Sequence, residues 1–403
     1  MSRFFRSLAL ASVAGLALGV AVPLTAAEPP KPAAAPVPAE SQAVDLVLCL
    51  DVSGSMNGLI DSAKLRLWDV VNELARLKPT PKLRVALYSY GATRYPADKG
   101  WVQKDLDLTE DLDAVYKVLN AYKTGGGEEL VARVTDTALT EQKWSTEKNA
   151  LKLIFVCGNE AVDQDKTVTL DSVATRAKKA GVVINTIYCG ASNSTEAAAW
   201  GKFGALCGGR HTDIDMNRAA QQVAVKTEFD EQILKLGDEL NKTYVVYGKD
   251  GKGKADNQIA QDANALKNVA AKGPGGAPAA PTAAIARAES KAGALYNCAT
   301  WDLVDRMKEK DFDLSKIKEE ELCDELKKIK PEERLAYLKK KAGEREELQK
   351  KIADLSAKRQ KKVDEERAKS PKSDGEKALD EALKSTVREQ AKAKGFEVAP
   401  EKK

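Results

Sequence analysis

The sequence predicts an α/β fold: a doubly wound, mostly parallel sheet flanked by helices, followed by a charged α-helical C-terminal region. Short apolar segments of strand length alternate with segments of helical periodicity from about residue 44 to residue 247. The strand segments are apolar on both faces, which is typical of parallel strands that helices cover on both sides. Beyond residue 283 Lys and Glu dominate, and apolar residues recur only as a thin helical stripe.

Strands and helices can be assigned in order along the α/β part. The sequence predicts strands at 44–51, 83–90, 101–108, 151–157, 181–189 and 211–215. It predicts helices at 57–77, 109–122, 129–142, 168–180 and 194–206, and a last helix with a strand-like end over 228–247. In a sheet of this kind binding sites lie at the carboxyl ends of the strands, near the switch in strand order. Functional residues are therefore expected at that edge.

Residues 1–27 are typical of a secretory signal peptide. Arg3 and Arg6 precede an apolar run over 7–24, and small residues at 25–27 offer a cleavage site. A retained membrane anchor is the alternative, although the run is at the short end for a span. We expect an exported protein, periplasmic or secreted, with no membrane span in the mature chain.

Two Pro-rich segments flank the α/β domain, which is predicted to span residues 44–247. Residues 28–43 are rich in Pro and Ala and predict an extended linker. Residues 248–283 predict a helix followed by a flexible linker, which contains the segment KGPGGAPAAPTA.

The C-terminal region is predicted to be a charged helical region over 284–369 and a disordered tail over 370–403. Its thin apolar stripe is interrupted by Arg345 and Arg359 at positions where a coiled-coil seam would need apolar side chains. The stripe therefore predicts a helical hairpin or a weakly associating helix.

Charge and cysteine content exclude several classes of function. The chain has 64 Lys and Arg against 60 Asp and Glu, a formal net charge of +4, which gives no attraction to nucleic acid or to an anionic membrane. It contains six cysteines without a CxxC pair and a single histidine, His211, so a zinc cluster or a histidine-based site has no support. Export would allow disulfides, but the sequence does not define their pairing.

The first predicted strand ends in a D-x-S-x-S motif formed by Asp51, Ser53 and Ser55. Carboxylate and hydroxyl oxygens are the ligands that a hard cation such as Mg²⁺ prefers. The alternative is a turn whose serines cap the following helix. The position of the motif, after a buried strand and before a helix, favours a metal site. A metal with few negatively charged ligands stays electrophilic and takes an acidic oxygen from outside.

The segment LVLCLDVSGSMNGLIDSAKLRLWDVVNEL resembles the first strand, metal loop and first helix of von Willebrand factor type A domains. The resemblance covers about residues 44–247 and implies a Rossmann-like fold with a metal-ion-dependent adhesion site. In that family the D-x-S-x-S motif is joined by a threonine from a second loop and an acid from a third. The segments KTGGGEE, FVCGNEAVDQD, GVVINTIYCG and GGRHTDID resemble a bacterial subgroup of exported proteins with this domain.

The second and third loops match the family pattern less closely than the first. The resemblance implies Thr124 as the family threonine, and Glu129 as a carboxylate near the metal; the alternative for Glu129 is an acid favoured by the dipole of a helix start. Asn159 stands where the family carries an aspartate, and its amide oxygen can ligate a cation but adds no charge. This leaves room for Glu160 or Asp163 to substitute.

These observations predict a metal-dependent protein-binding module, an adhesion or scaffold protein rather than an enzyme. It would hold Mg²⁺, or Mn²⁺ or Ca²⁺, and capture an Asp or Glu carboxylate of a partner protein. The predicted ligands are Asp51, Ser53, Ser55, Thr124, Glu129 and Asn159. One alternative is a metal-independent scaffold of the cell envelope that interacts through its charged helices. A weaker one is a metal-dependent hydrolase, for which the sequence offers neither a nucleophile motif nor a clear general base.

Overall fold

The computed structural model describes residues 42–214, 225–268, 281–369 and 378–398. The predicted signal peptide, most of the first linker, the Gly-rich part of the second linker and the start of the tail lie outside the described residues.

Six strands form the central sheet: β1 Ala43–Asp51, β3 Lys82–Tyr90, β4 Val102–Thr109, β5 Leu151–Gly158, β6 Val183–Tyr188 and β7 His211–Asp213. Their order is β4-β3-β1-β5-β6-β7. All neighbours are parallel except β4, which pairs antiparallel with β3 at one edge. The predicted fold class is confirmed, and each predicted strand agrees with an observed one to within two residues at its ends.

Helices cover both faces of this sheet: α1 Asn57–Leu74, α2 Leu112–Ala121, α3 Val131–Glu141, α4 Leu170–Ala180 and α5 Thr195–Leu206. The side chains of Asp111, Thr169 and Ser194 accept a backbone N–H and so cap α2, α4 and α5. The first helix is shorter than predicted because Leu77–Lys78 leave it as a two-residue strand, β2.

Side chains of β1 alternate between two apolar cores. Val44, Leu46 and Leu50 belong to the core that contains α1 and α2, whereas Val47 and Cys49 belong to the core that contains α3, α4 and α5. All five are at most 3% exposed. Burial on both faces explains why the strand sequences are continuously apolar rather than alternating.

The C-terminal region is helical and packs on the α/β part. Its elements are α6 Asp230–Asn241, α7 Gly251–Lys267, α8 Thr282–Ala292, α9 Leu303–Arg306, α10 Asp324–Lys327, α11 Pro331–Lys369, α12 Ala378–Ala393 and the strand β8 Glu397–Val398. Helix α8 is central, because it contacts α1, α6, α7 and α11. Within the described residues, no helix combines the length and the apolar composition needed to cross a membrane.

Arg345 and Arg359, which interrupt the apolar stripe of α11, face acids of their own chain. Arg345 donates to Asp302 at 2.7 Å and to Asp305 at 3.0 Å, and Arg359 donates to Asp230 at 2.9 Å. Helix α11 therefore packs lengthwise on α6 and α8 of the same chain. This packing replaces the helical hairpin or weakly associating helix that the stripe predicted.

Residues 378–398 form a helix and a short strand within the tail over 370–403 that the sequence predicted to be disordered. The core that contains α1 and α2 includes three residues of the tail, each at most 3% exposed: Val387, Ala391 and Phe396. The strand β8 pairs antiparallel with β2. Arg388 also donates two hydrogen bonds to the buried carboxylate of Glu73. The prediction failed because the lysine-rich composition outweighed three well-spaced apolar residues.

All six cysteines are free thiols, and five of them are buried. The pairs closest in sequence, Cys189 with Cys207 and Cys298 with Cys323, are not joined. Burial raises the pKa of Cys49 and Cys157 beneath the carboxyl edge of the sheet, which keeps both thiols protonated and unreactive.

Candidate metal site

The D-x-S-x-S motif lies at the carboxyl edge of the sheet, where β1 ends. Asp51 is the last residue of β1, and its Oδ1 accepts the backbone N–H of Ser53 at 2.7 Å. The chain then passes through a short 3-10 helix, Gly54–Met56, into α1. The side chain of Ser53 makes no capping hydrogen bond to this helix. The geometry therefore differs from the simple capping turn that was the alternative explanation of the motif.

The hydroxyls of the motif form a small cluster that opens to solvent. Ser53 Oγ lies 3.0 Å from Ser55 Oγ. The amide of Asn159, after β5, approaches Ser55 Oγ with Nδ2 at 3.1 Å and Oδ1 at 3.3 Å. Asp51 and Ser53 are buried, whereas Ser55 is exposed. Four predicted site residues are thus brought together, with a buried floor and an open side.

Two carboxylates of the site each have one oxygen without a hydrogen-bond partner among the described residues. Asp51 Oδ2 and Glu129 Oε2 are buried and have no hydrogen-bond partner among the described residues. Burial raises the pKa of Asp51, and burial together with the neighbouring charge of Asp51 raises the pKa of Glu129. Unpaired buried carboxylate oxygens are costly, so their surroundings favour a bound cation.

Gly91, directly after β3, brings these carboxylates side by side. Its φ is +81°, and a Cβ there would stand 2.9 Å from Asp51 Oδ1 and 2.9 Å from Glu129 Cγ. Gly158, at the end of β5, has a similar role, because a Cβ there would lie 2.5 Å from Tyr90 Oη and 3.3 Å from Asp51 Oδ2. Sequence reasoning missed both glycines, and the available signal was a glycine at the end of each strand.

Thr124 lies beside the motif without bonding to it. Its hydroxyl donates to Asn57 Oδ1 at 2.6 Å, at the start of α1. The loop is fixed against the motif, because Gly125 N–H donates to the carbonyl of Val52 at 2.9 Å. Thr124 is therefore close to the site in the fold, but its hydroxyl donates to Asn57 and not to either serine.

The third loop places its two candidate substitutes outside the hydroxyl cluster. Glu160 and Asp163 are both exposed. Trp200 Nε1 donates to the backbone carbonyl of Glu160 at 2.7 Å, which fixes that backbone. Further along, Asp165 pairs with Arg133 at 2.9 Å, which holds the loop against α3.

Among the described residues no three His, Cys, Asp or Glu side chains form a cluster that could hold a metal. The candidate site rests instead on hydroxyls, one amide and two carboxylates.

A cleft of about 700 Å³ lies at the opposite edge of the sheet, between the connection from β4 to α2 and the C-terminal region. Its cationic side chains are each paired with a carboxylate of this chain: Arg84 with Asp45, Lys254 with Asp111, and Arg306 with Asp311. Because these charges are satisfied internally, the cleft does not compete with the carboxyl edge as the candidate site.

Residues 45–211 match the family model of the von Willebrand factor type A domain. The matched range extends from the third residue of β1 to the first residue of β7, and it contains all the predicted ligands. No curated protein matches the chain.

Three solved structures illustrate the structural likeness. Proximal thread matrix protein 1 from the mussel byssus, with a zinc-occupied MIDAS motif, is 16% identical over 38% of this chain and 37% of that one, with a TM-score of 0.31. The SpRpn10 VWA domain is 17% identical over 46% of this chain and 100% of that one, with a TM-score of 0.34. The pilus adhesin SpaC from Lactobacillus rhamnosus GG is 13% identical over 45% of this chain and 29% of that one, with a TM-score of 0.33. The chain thus spans well under half of the byssus and pilus proteins that it matches.

Proposed function

From the von Willebrand factor type A domain at residues 45–211, we propose that this protein is a metal-dependent protein-binding module. It holds a divalent cation at the carboxyl edge of the sheet and captures an acidic side chain of a partner protein. The observation that carries the proposal is the pair of buried oxygens of Asp51 and Glu129, without a hydrogen-bond partner among the described residues, beside the hydroxyls of the buried Ser53 and the exposed Ser55.

The donor set fits a hard cation. Ser53 and Ser55 offer neutral hydroxyl oxygens, and Asp51 and Glu129 offer the negative charge, directly or through water. Oxygen donors of this kind suit Mg²⁺, and Mn²⁺ or Ca²⁺ as alternatives. When bound, the cation supplies an open coordination position for an oxygen from another molecule. The chain's own role is to orient the donors and to keep the floor of the site free of competing partners.

Thr124 and Asn159 have supporting places in this proposal. Asn159 is already in contact with Ser55 and adds an oxygen without charge, which leaves the cation more electrophilic than an aspartate would. Thr124 is held by Asn57, so its approach to the cation requires a change of hydrogen-bond partner. We propose that it joins the ligand set when the cation binds.

Binding is proposed in preference to catalysis. The single histidine of the chain, His211, bonds through its Nδ1 to Thr186 at 2.9 Å and through its Nε2 to Asp213 at 2.9 Å. Both ring nitrogens are therefore engaged on the edge strand β7, and the histidine is not poised as a general base beside the serines. We also propose export to the cell envelope or beyond, where protein partners with exposed acidic residues would be met.

Affinity capture from native envelope extract tests the proposal. The full chain in Mg²⁺ should retain a partner that is released by a chelator, and Ser53→Ala should lose it. Ser315→Ala is the matched control, because it removes an exposed hydroxyl in the C-terminal region. Capture that survives both the chelator and Ser53→Ala would instead favour the metal-independent scaffold that acts through the charged helices.

A further inference from the structure

We infer that the rim of the proposed metal site is electrostatically asymmetric and selects the sequence around the captured acid. A second acidic residue of the partner is favoured on the side of Arg94 and disfavoured on the side of Glu160. This inference rests on the proposed function and adds the chemistry of the partner segment.

Arg94 stands at the rim beside the second loop of the site. It follows β3 by four residues and is exposed. Its Nη1 lies 3.5 Å from the position of a Cβ on Gly125, the neighbour of Thr124. The adjacent Thr93 N–H donates to the carbonyl of Gly126 at 2.5 Å, so the Arg94 loop and the second loop are joined through their backbones.

The guanidinium of Arg94 is held in place but not neutralised. It lies over the ring of Tyr95, 4.6 Å from the centroid, and donates to Tyr95 Oη at 2.8 Å. That hydroxyl is in turn anchored on Ser89 Oγ at 2.7 Å. Among the described residues no carboxylate lies within 4.0 Å of the guanidinium nitrogens of Arg94. The partly buried Asp105 on β4 interacts with Arg94 at longer range, which counteracts the rise that burial causes in the pKa of Asp105, and its carboxylate already accepts from Tyr122 Oη at 2.8 Å. A guanidinium has five N–H donors, so a planar, bidentate face remains for an external carboxylate.

The other exposed charges of the second loop do not change the positive sign of the charge that Arg94 gives to this side of the rim. Lys123 and Glu128 are both exposed there, and their opposite charges offset each other. Arg94 therefore adds an exposed positive charge to this side of the rim.

Glu160 gives the opposite side of the rim a negative charge. It is exposed and follows Asn159, whose amide touches Ser55. Trp200 fixes its backbone carbonyl, so Glu160 stays next to Asn159, outside the hydroxyl cluster but beside it. An acid of the partner above Glu160 would meet a like charge, whereas a base there would be attracted.

Selection from a phage-displayed peptide library tests the inference. Peptides with one fixed Asp and randomised flanks are bound to the immobilised full chain in Mg²⁺ and eluted with a chelator. The wild-type chain should enrich an acid on one flank and deplete acids on the other. With Arg94→Glu the ratio of acids to bases at the enriched position should fall roughly fivefold or more, since exposed charge pairs contribute up to about 1 kcal/mol each.

Lys148→Glu is the matched control, because it reverses an exposed charge in the segment before β5, at the opposite edge of the sheet, and should select like the wild type. Thermal unfolding of both variants checks that the fold is kept. Chelator-eluted peptides with random flanks, or unchanged flanks with Arg94→Glu, would overturn the inference and leave the proposed function standing. A library that yields no chelator-eluted peptide would overturn both.

Discussion

Gly91 sets the approach of the two carboxylates at the site. Its positive φ and the close positions of Asp51 and Glu129 leave no room for a side chain. Because the residue lies in a loop after β3, its importance depends on the backbone geometry of the folded loop, of which the sequence shows only a glycine at the end of the strand.

Gly91→Ala should therefore both destabilise the protein and weaken the metal site. Strained backbone alone costs about 1–3 kcal/mol, and displacement of the carboxylates adds to it. Gly181→Ala is the control, since its φ is +65° but nothing lies within 4 Å of its Cβ position. Urea denaturation and Mg²⁺ titration of both variants should show a larger loss of stability and a selective loss of binding for Gly91→Ala. Equal effects of the two substitutions would contradict the steric argument.

Asp51 and Glu129 should make the metal-free protein less stable as the pH rises. Burial raises the pKa of both carboxyl groups in the folded protein. A group with a raised folded pKa contributes its stability below the unfolded pKa, about 4 for these acids, and loses that contribution as the pH rises through the folded value. In the presence of a chelator, the urea concentration at the midpoint of unfolding should decrease as the pH is raised from about 5 to about 8. Glu129→Gln should make this decrease smaller. An identical pH dependence of the wild type and the variant would contradict the assignment.

The sequence could predict those site residues that are fixed to the ends of strands. Asp51, Ser53 and Ser55 follow β1 directly and Asn159 follows β5, so strand assignment placed all four at one edge. The register of Thr124 could not be predicted, because three glycines follow it and the loop path depends on contacts with other loops.

At the scale of elements, α11 shows why a stripe of apolar residues can mislead. Leu338, Arg345, Ile352 and Arg359 recur at seven-residue spacing, and all four face their own chain. The sequence indicated the helix but not its partner, because an arginine in a seam is unfavourable unless carboxylates lie opposite. Those carboxylates come from segments distant in sequence, so the pairing could not be inferred from the stripe.

Arg345→Met should destabilise the protein by about 3–5 kcal/mol, because it removes the cation that pairs with the buried Asp302 and leaves Asp305 with its exposed partner Lys308 at 2.7 Å. Arg345, Asp302 and Asp305 are all at most 4% exposed. Lys340→Met on the same helix is the control, since Lys340 is exposed and its loss should change stability by less than about 0.5 kcal/mol. Urea denaturation measures the free energy of unfolding of the wild type and of both variants. A small effect of Arg345→Met would mean that α11 does not pack on the rest of the chain as described.

At the scale of the whole molecule, the C-terminal region completes the core of the α/β part. The core that contains α1 and α2 also contains apolar residues from the C-terminal region, among them Ala284, Trp301 and Phe396. The family match ends at residue 211, but the packing does not end there. The sequence predicted the fold of the α/β part correctly but indicated separate helices and a tail for the rest. The many charged residues of the C-terminal region indicate solvent-exposed helix faces, and the few apolar residues that pack on the α/β part are hard to recognise among them.

A fragment of residues 42–247 should therefore lack part of its core and fail to unfold cooperatively. The full chain should show one thermal transition, since the core that contains α1 and α2 also contains residues of the C-terminal region. Differential scanning calorimetry and near-UV circular dichroism of both proteins measure this. A fragment that melts as sharply as the full chain, at the same temperature, would show that the α/β part is independent of the C-terminal helices.

The central claim is that hydroxyl, amide and carboxylate groups at the carboxyl edge of the sheet hold one divalent cation. Isothermal titration of Mg²⁺ and Mn²⁺ into the metal-free full chain tests it most directly, with Asp51→Asn and Ser53→Ala compared with Asp163→Asn, which alters an exposed acid of the third loop. The wild type and Asp163→Asn should each bind one ion, and Asp51→Asn and Ser53→Ala should lose binding. No heat with the wild-type chain, or equal binding by all four proteins, would contradict it.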